Sequence, residues 1–180
     1  MTDRAEFSFR VVEGSALTPE EREEIIALCD LAYEENMGLI IDQFVDPVHV
    51  LGYWGEKLVC HALLITRFLE PEGLPQLQTA YVEAVATHPN YRCRGFASAI
   101  MRKLVEEIQD FDIAGLAPFS VDYYAKLGWK LWRGAMFERK DDVLIASDLS
   151  ERVMIYRLPK TPLLDLDAEI SIEWRVGEVW

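Results

Sequence analysis

The sequence predicts one domain of the mixed α/β class over residues 1–180, in which a central sheet is covered by helices. The predicted elements run strand, helix, several strands, helix, strand, helix and strands, which is not the regular alternation of a doubly wound parallel sheet. A length of 180 residues suits one domain with a full core. Hydrophobic residues make up 51% and charged residues 27%, as in ordinary globular proteins.

Hydrophobic periodicity and turn residues place these elements along the chain. Residues 7–12 alternate apolar and polar side chains, as a half-buried strand does. Thr18 before Pro19 predicts a helix start, whereas residues 34–46 are either a short helix or a loop. Gly55 predicts the turn of a hairpin. The other predicted elements are strands at 48–54, 57–69, 76–87, 113–116, 129–139, 152–158 and 169–175, and helices at 96–108 and 121–127.

Charge and composition exclude several classes of function. The net charge of −13 argues against nucleic acid and against an anionic membrane surface. No apolar run approaches the roughly 18 residues of a membrane span, and the amino terminus lacks the apolar core of a signal peptide, so we expect a cytoplasmic protein. Cys29, Cys60 and Cys93 fit neither a disulfide framework nor a zinc site, so no metal is predicted, and Cys29 and Cys60 are expected in the core.

The acidity of the chain has two interpretations. A negative cleft concentrates cations and would suit a polycationic small molecule as partner. The simpler interpretation, which charge alone favours, is that the acidic residues keep the protein in solution.

The segment from Val85 to Ala97 carries the first chemical motif. It leaves a predicted strand and enters a helix near Gly95, where small residues allow a ligand to approach the backbone. The first amides of a helix bind phosphate, and Arg92 and Arg94 add positive charge. The dinucleotide-binding and Walker patterns are absent. The alternative is an ordinary helix start with a surface arginine.

The second motif is Asp122-Tyr123-Tyr124-Ala125-Lys126-Leu127-Gly128-Trp129. A phenol with a pKa of about 10 could protonate a departing thiolate, since the thiol has a pKa of about 8.5. The alternative is an amphipathic helix that ends at Gly128.

Together, Arg92-x-x-Gly95-x-Ala97 and the tyrosine motif resemble the GNAT superfamily of N-acetyltransferases. The segments at 81–86 and 173–180 resemble, more narrowly, the aminoglycoside 2'-N-acetyltransferases, and the similarity runs from about residue 9 to residue 180. The resemblance implies a mixed, mostly antiparallel central sheet that is flanked by helices and splayed at the acetyl-CoA site. It also implies acetyl-CoA as cosubstrate, a polycationic aminoglycoside acetylated at its 2'-amine, and a homodimer.

The resemblance also implies roles for individual residues. Glu83 would accept the proton of the acceptor amine through an ordered water, or a chain of waters would carry that proton away, and Tyr124 would protonate the thiolate of CoA. A backbone amide near Val85 would hold the thioester carbonyl. The implied cofactor-binding residues are Val85, Ala86, Arg92, Cys93, Arg94, Gly95, Phe96, Ala97 and Ser98. The implied acceptor-binding residues are Glu35, Glu83, Asp148, Glu151, Glu178 and Trp180, the last through its terminal carboxylate.

The chain departs from this family in three places, of which Asp122 in the tyrosine motif is one. Pro118 and Phe119 stand where the family has serines, and the loop at 137–150 differs in sequence. These differences leave two alternatives open. One is a GNAT enzyme for another amine, such as a polyamine, an amino sugar or a protein amino terminus. The other is a non-catalytic module that binds acyl-CoA.

The expected mechanism is direct attack of the amine in a ternary complex. No cysteine or serine is paired in sequence with a histidine in a way that suggests a covalent intermediate. Cys93 is expected to be a small loop residue rather than a nucleophile.

Overall fold

The computed structural model of the protein describes residues 6–141 and 143–180. The chain divides into two compact units, the first formed by residues up to 65 together with 82–107, and the second by Thr66–Tyr81 and Ile108–Trp180. Two long strands, β3 (Lys57–Pro71) and β4 (Leu77–Thr87), each contribute residues to both units.

In the part of the first unit that the structure describes, three α-helices accompany an antiparallel strand pair beside β3. The other elements of this unit are β1 (Phe7–Glu13), α1 (Pro19–Tyr33), α2 (Gly38–Ile41), β2 (Val48–Trp54) and α3 (Phe96–Glu107). Strand β2 pairs antiparallel with both β1 and β3. The predicted start of α1 is confirmed, because Thr18 and Glu21 form a reciprocal capping box. Of the two alternatives for residues 34–46, the structure shows the short helix α2.

The second unit contains one short helix and the larger part of the sheet. Its elements are β5 (Ile113–Leu116), α4 (Val121–Lys126), β6 (Lys130–Leu131), β7 (Met136–Lys140), β8 (Val143–Ala146), β9 (Met154–Arg157) and β10 (Ile170–Glu173). The strand order is β6-β9-β5-β4-β3-β10-β7-β8. Strand β10 runs antiparallel to β3 and parallel to β7, so the predicted mixed, mostly antiparallel sheet is confirmed.

Each unit has its own apolar core. In the first unit, α1 and α3 bury Ile25, Leu28, Ile100 and Leu104, among others. Cys29 and Cys60 are fully buried, as expected from the sequence. In the second unit the largest buried side chains are Trp129 and Trp132.

The predicted strand at 129–139 is wrong, because the structure has two strands there with an irregular segment between them. The amides of Arg133 and Gly134 both donate to the carbonyl oxygen of Leu166, at 2.8 and 3.1 Å, which draws this segment out of the sheet. A Cβ at Gly134 would lie 1.7 Å from the carbonyl oxygen of Ala168, so only glycine fits this approach.

The segment at 137–150, treated in the sequence as a loop, also differs from expectation. Strand β7 and the unforeseen strand β8 form an antiparallel hairpin. All four residues of β8 are exposed, so its apolar side chains lack the alternation that usually reveals a strand.

Among the described residues, no helix is both long and apolar enough to cross a membrane. Over the same part of the chain, no group of three or more His, Cys, Asp or Glu residues is placed to hold a metal ion.

Candidate active site

The loop from β4 to α3 leads into a helix start that is preceded by a glycine, which has no side chain to cap it. Gly95 precedes α3, and its carbonyl accepts the first helical hydrogen bond, from the amide of Ala99 at 2.9 Å. The amides of Phe96 and Ala97 therefore have no partner inside the helix. Gly95 has a φ of +84°, and the space where a Cβ would stand is open. A ligand can thus approach these amides without meeting a side chain of residue 95.

Aromatic packing holds this helix start in place. The ring of Phe96 stacks on Phe7 at 4.5 Å and lies 5.6 Å from the ring of Trp54. Phe96 is buried, so it can offer a ligand its amide but not its ring. The ring of Tyr91 lies 5.0 Å from the guanidinium of Arg94 and 5.2 Å from the ammonium of Lys57.

The two arginines of the motif are placed differently. Arg92 donates from Nη2 to the carbonyl oxygen of Ala32 at 3.1 Å, near the carboxyl-terminal end of α1. Arg94 is exposed beside Tyr91. Cys93 between them is exposed and has a φ of +60°, which is consistent with its expected role as a loop residue. The exposed guanidinium groups and the helix amides together fit a phosphate or pyrophosphate.

Strand β4 places the other predicted cofactor residues of this unit. Glu83 and Val85 are half-buried and Ala86 is buried. Between them, Ala84 has a φ of +47°, a left-handed conformation that costs a non-glycine residue about 1–2 kcal/mol. The carbonyl of Val85 accepts a hydrogen bond from the hydroxyl of Tyr33 at 3.1 Å. The left-handed conformation of Ala84 therefore interrupts the extended backbone of the strand beside Glu83, the predicted base.

Tyr124 lies on α4 in the second unit. The side chain of Ser120 caps this helix by accepting from the amide of Tyr123 at 3.3 Å. Tyr124 is buried, with ring centroids of Tyr123 at 5.1 Å and Phe119 at 5.4 Å. Phe119 itself is 75% exposed, so an apolar surface adjoins the predicted acid.

Three of the predicted acceptor-binding acids come together in the second unit. The pKa of Glu151 is raised above its usual 4.5, first by desolvation and then by the charges of Glu178, Asp148 and Glu138. Asp148 shapes the turn here, because its carboxylate accepts from the amide and hydroxyl of Ser150 at 2.8 and 2.6 Å. Both Asp148 and Glu151 line a pocket of about 480 Å³. We call Glu138, Asp148, Glu151 and Glu178 the acidic cluster.

The carboxyl-terminal tail is anchored by a buried arginine. Arg67, which is 4% exposed, donates to the carboxylate of Glu173 at 2.5 Å, to its carbonyl at 2.6 Å and to the carbonyl of Val179 at 2.9 Å. Trp180 is buried, and its indole donates to the hydroxyl of Ser147 at 2.7 Å. The indole of Trp180 is therefore committed to packing.

Comparison with known proteins assigns the family. The model of the acetyltransferase (GNAT) domain matches residues 14–132. The chain belongs to the GNAT acetyltransferases. Over 178 residues it is 28% identical to an aminoglycoside 2'-N-acetyltransferase of Mycolicibacterium fortuitum, covering 95% of this chain and 91% of that protein.

Solved GNAT structures share the fold. The N-acetyltransferase YhbS of Escherichia coli, solved in complex with CoA, matches 96% of this chain and 94% of its own with a TM-score of 0.66 at 15% identity. Eis1 of Mycobacterium abscessus matches 72% of this chain with a TM-score of 0.60 at 17% identity. This GNAT chain spans about a third of the length of Eis1, since 32% of that protein is covered.

The sequence of this GNAT chain did not reveal the roles of two residues, Glu138 and Arg67. Glu138 belongs to the acidic cluster but lies in a segment whose hairpin was not foreseen. Arg67 has no local signal, because its partners Glu173 and Val179 lie more than a hundred positions further along the chain. Glu35, an implied acceptor-binding residue, is exposed in the turn before α2, in the first unit.

Replacing Arg67 tests whether it anchors the tail. We expect Arg67→Met to lower the free energy of unfolding by about 3 kcal/mol, because a half-buried carboxylate and two backbone carbonyls lose their donor. Urea unfolding measures this loss, and carboxypeptidase digestion of the folded protein should remove the tail faster.

Arg133→Met is the matched control, since Arg133 forms an exposed ion pair with Asp167. Because solvent screens this exposed pair, Arg133→Met should leave the free energy of unfolding close to that of the unmodified protein. Equal losses for the two variants, with unchanged digestion, would contradict the role given to Arg67.

Proposed function

We propose that this GNAT enzyme transfers an acetyl group from acetyl-CoA to an amine of an aminoglycoside, at its 2'-amine, by direct attack in a ternary complex. The acidic cluster around Glu151 is the basis for the choice of acceptor. Desolvation, and then repulsion from the neighbouring carboxylates, raises the pKa of Glu151, and a polycation bound there would relieve that repulsion. The homodimer and the cytoplasmic location stay predictions.

The exposed helix start supports acetyl-CoA as cosubstrate. The amides of Phe96 and Ala97, the open space at Gly95 and the guanidinium of Arg94 would bind the pyrophosphate. YhbS, which shares the fold, was solved with CoA. Bound there, acetyl-CoA supplies the acetyl group as a thioester.

The second unit supports a polycationic acceptor. Hydrogen bonds between ammonium groups and carboxylates contribute about 1.5–3 kcal/mol each. Asp148 and Glu151 line a pocket of about 480 Å³, a volume in the range of sites for small molecules. The similarity at 28% identity to an aminoglycoside 2'-N-acetyltransferase points to the same class of acceptor.

In the proposed mechanism, Glu83 accepts one proton and Tyr124 donates one. Glu83 takes a proton from the acceptor ammonium, through water, so that the amine nitrogen has a free electron pair. The nitrogen forms a bond to the acetyl carbon as the bond from that carbon to sulfur breaks. Tyr124 donates its phenolic proton to the departing sulfur. The nitrogen, now bonded to the acetyl carbon, releases its second proton to solvent, from which Tyr124 recovers its own. The products are the N-acetylated amine and the CoA thiol.

Phe119 favours a second candidate acceptor. Its ring is 75% exposed and stands where the aminoglycoside 2'-N-acetyltransferases have a serine. An amine that carries an apolar group, such as a protein amino terminus, would gain from contact with this ring. Turnover of such amines, with none of aminoglycosides, would identify this alternative.

The regiochemistry is tested with two aminoglycosides that differ at the 2' position. We expect release of the CoA thiol with kanamycin B, which has a 2'-amine, and none with kanamycin A, which has a 2'-hydroxyl. Tyr124→Phe should lower kcat for kanamycin B about 100-fold, because the general acid is lost.

Tyr123→Phe removes a hydroxyl from the neighbouring residue of the same helix and should leave kcat within about twofold. Equal turnover of both kanamycins would support an aminoglycoside N-acetyltransferase but refute the 2'-amine as the group that is acetylated. Equal effects of the two tyrosine changes would contradict the role of Tyr124.

Neutralising Glu151 should have opposite effects on stability and binding. A raised carboxyl pKa means that the ionised form is disfavoured in the folded protein, so above that pKa Glu151→Gln removes a destabilising charge. We expect Tm at neutral pH to rise by about 1–2 °C, since repulsion among exposed carboxylates is worth roughly 0.5 kcal/mol. The Kd for kanamycin B, measured by calorimetry, should rise about tenfold.

Glu72→Gln removes an exposed acid of the same unit outside the acidic cluster. Both its Tm and its Kd should match those of the unmodified protein. A Kd that is unchanged in Glu151→Gln would argue against the acidic cluster as the acceptor site.

A further inference from the structure

Two buried histidines in the first unit take no part in the proton transfers proposed for Glu83 and Tyr124. His61 on β3 is 0% exposed and His49 on β2 is 2% exposed. Nδ1 of His49 lies 2.9 Å from Nε2 of His61, and Nδ1 of His61 lies 2.9 Å from the carbonyl oxygen of Ala84. No local pattern in the sequence predicts this pair, whose members lie on neighbouring antiparallel strands.

The hydrogen bonds fix the direction of this chain. A carbonyl oxygen can only accept, so Nδ1 of His61 carries the hydrogen that it shares with Ala84. Nε2 of the same neutral ring then has a lone pair, which accepts from Nδ1 of His49. The order of donation is therefore from His49 to His61 and from His61 to Ala84.

Burial keeps both rings neutral. Desolvation lowers the pKa of His49 to about 4, and desolvation followed by the charge of His49 lowers the pKa of His61 to about 3. Cys29 lies against this pair, with its sulfur 3.5 Å from Nδ1 of His61. It is buried, and desolvation raises the pKa of its thiol to about 12, so Cys29 does not act as a nucleophile although it has a histidine beside it.

This series of hydrogen bonds ends at the carbonyl of Ala84, a residue of β4 with an unusual backbone conformation. Ala84 adopts a φ of +47° between Glu83 and Val85. An alanine keeps this conformation only where its surroundings enforce it. The ring of His61 holds the carbonyl of Ala84, and the hydroxyl of Tyr33 holds that of Val85 at 3.1 Å.

We propose that His61, oriented by His49, is a positioning residue that holds Ala84 in its left-handed conformation and so directs the carboxylate of Glu83 and the amide of Val85 for acetyl transfer. The catalytic part of this inference rests on the proposed function. The hydrogen bonds from His49 to His61 and from His61 to Ala84 stand on the geometry of the first unit alone. Neither histidine contacts the reacting atoms in this role.

Kinetics of His61 variants separate positioning from general structural support. We expect His61→Leu to lower kcat about 30- to 100-fold, because small misplacements of reacting groups cost this much. The Kd for CoA should change less than about threefold, since the helix start at Gly95 binds it. His61→Asn keeps an N–H donor near Nδ1 and should recover kcat to within about fivefold of the unmodified enzyme.

A second substitution at Ala84 tests the link directly. Glycine adopts positive φ without strain, so Ala84→Gly should restore part of the lost kcat when it is combined with His61→Leu. A folded His61→Leu protein with kcat within threefold of the unmodified enzyme would overturn the proposal. Equal losses of kcat and CoA affinity, with no recovery from Asn or from Ala84→Gly, would overturn it as well.

Imidazole nitrogen chemical shifts test the hydrogen-bond chain without any activity. At pH 6 to 7 we expect both rings to be neutral, with the hydrogen on Nδ1 in His49 and His61. A hydrogen on Nε2 of His61 would overturn the inference even in an active enzyme. Failure of the unmodified enzyme to acetylate any amine would instead refute the proposed function, and the catalytic part of the inference with it.

Discussion

The open start of α3 is the constraint on which the candidate site of the first unit depends. Backbone amides there cannot pair within their own helix, and Gly95 has no side chain to cap them. The ring of Phe96 is fixed between Phe7 and Trp54, and Arg92 is tied to the end of α1. The surrounding structure thus keeps an anion-binding position rigid and open in a chain whose net charge is −13.

Strand β4 supplies the complementary feature, a strained residue held by its neighbours. The left-handed conformation of Ala84 costs about 1–2 kcal/mol, and a buried hydrogen bond such as that from His61 contributes about 1 kcal/mol. The bond from Tyr33 to Val85 adds a contribution of similar size. The strain is therefore offset locally, and strained residues that are supported in this way concentrate at functional sites.

Local signals in the sequence predicted several features of the fold and the site. The capping box at Thr18, the hairpin around Gly55 and the loop from Arg92 to Ala97 are each specified by adjacent residues. The break at Gly134 was not predictable, because the carbonyls of Leu166 and Ala168 that cause it are distant in the chain.

The acidic cluster and the histidine pair also escaped prediction in part, since both depend on strand register. Asp148, Glu151 and Glu178 were transferred by resemblance, but Glu138 joins them only because β7 and β8 form a hairpin. His49 and His61 meet because β2 and β3 pair in one particular register. Single-sequence periodicity shows which residues face one side of a strand, whereas the partner strand decides which of them touch.

The affinity for CoA of two glycine variants tests most directly whether the start of α3 binds the cosubstrate. Gly95 and Gly73 have φ values of +84° and +75°, and the space at each Cβ position is open, so alanine should cost each about 1 kcal/mol of stability. Only the methyl group at position 95 would stand at the helix start. Calorimetry should show CoA binding weakened at least about tenfold in Gly95→Ala and unchanged in Gly73→Ala, whereas equal affinities in the two variants would contradict the assignment of this loop.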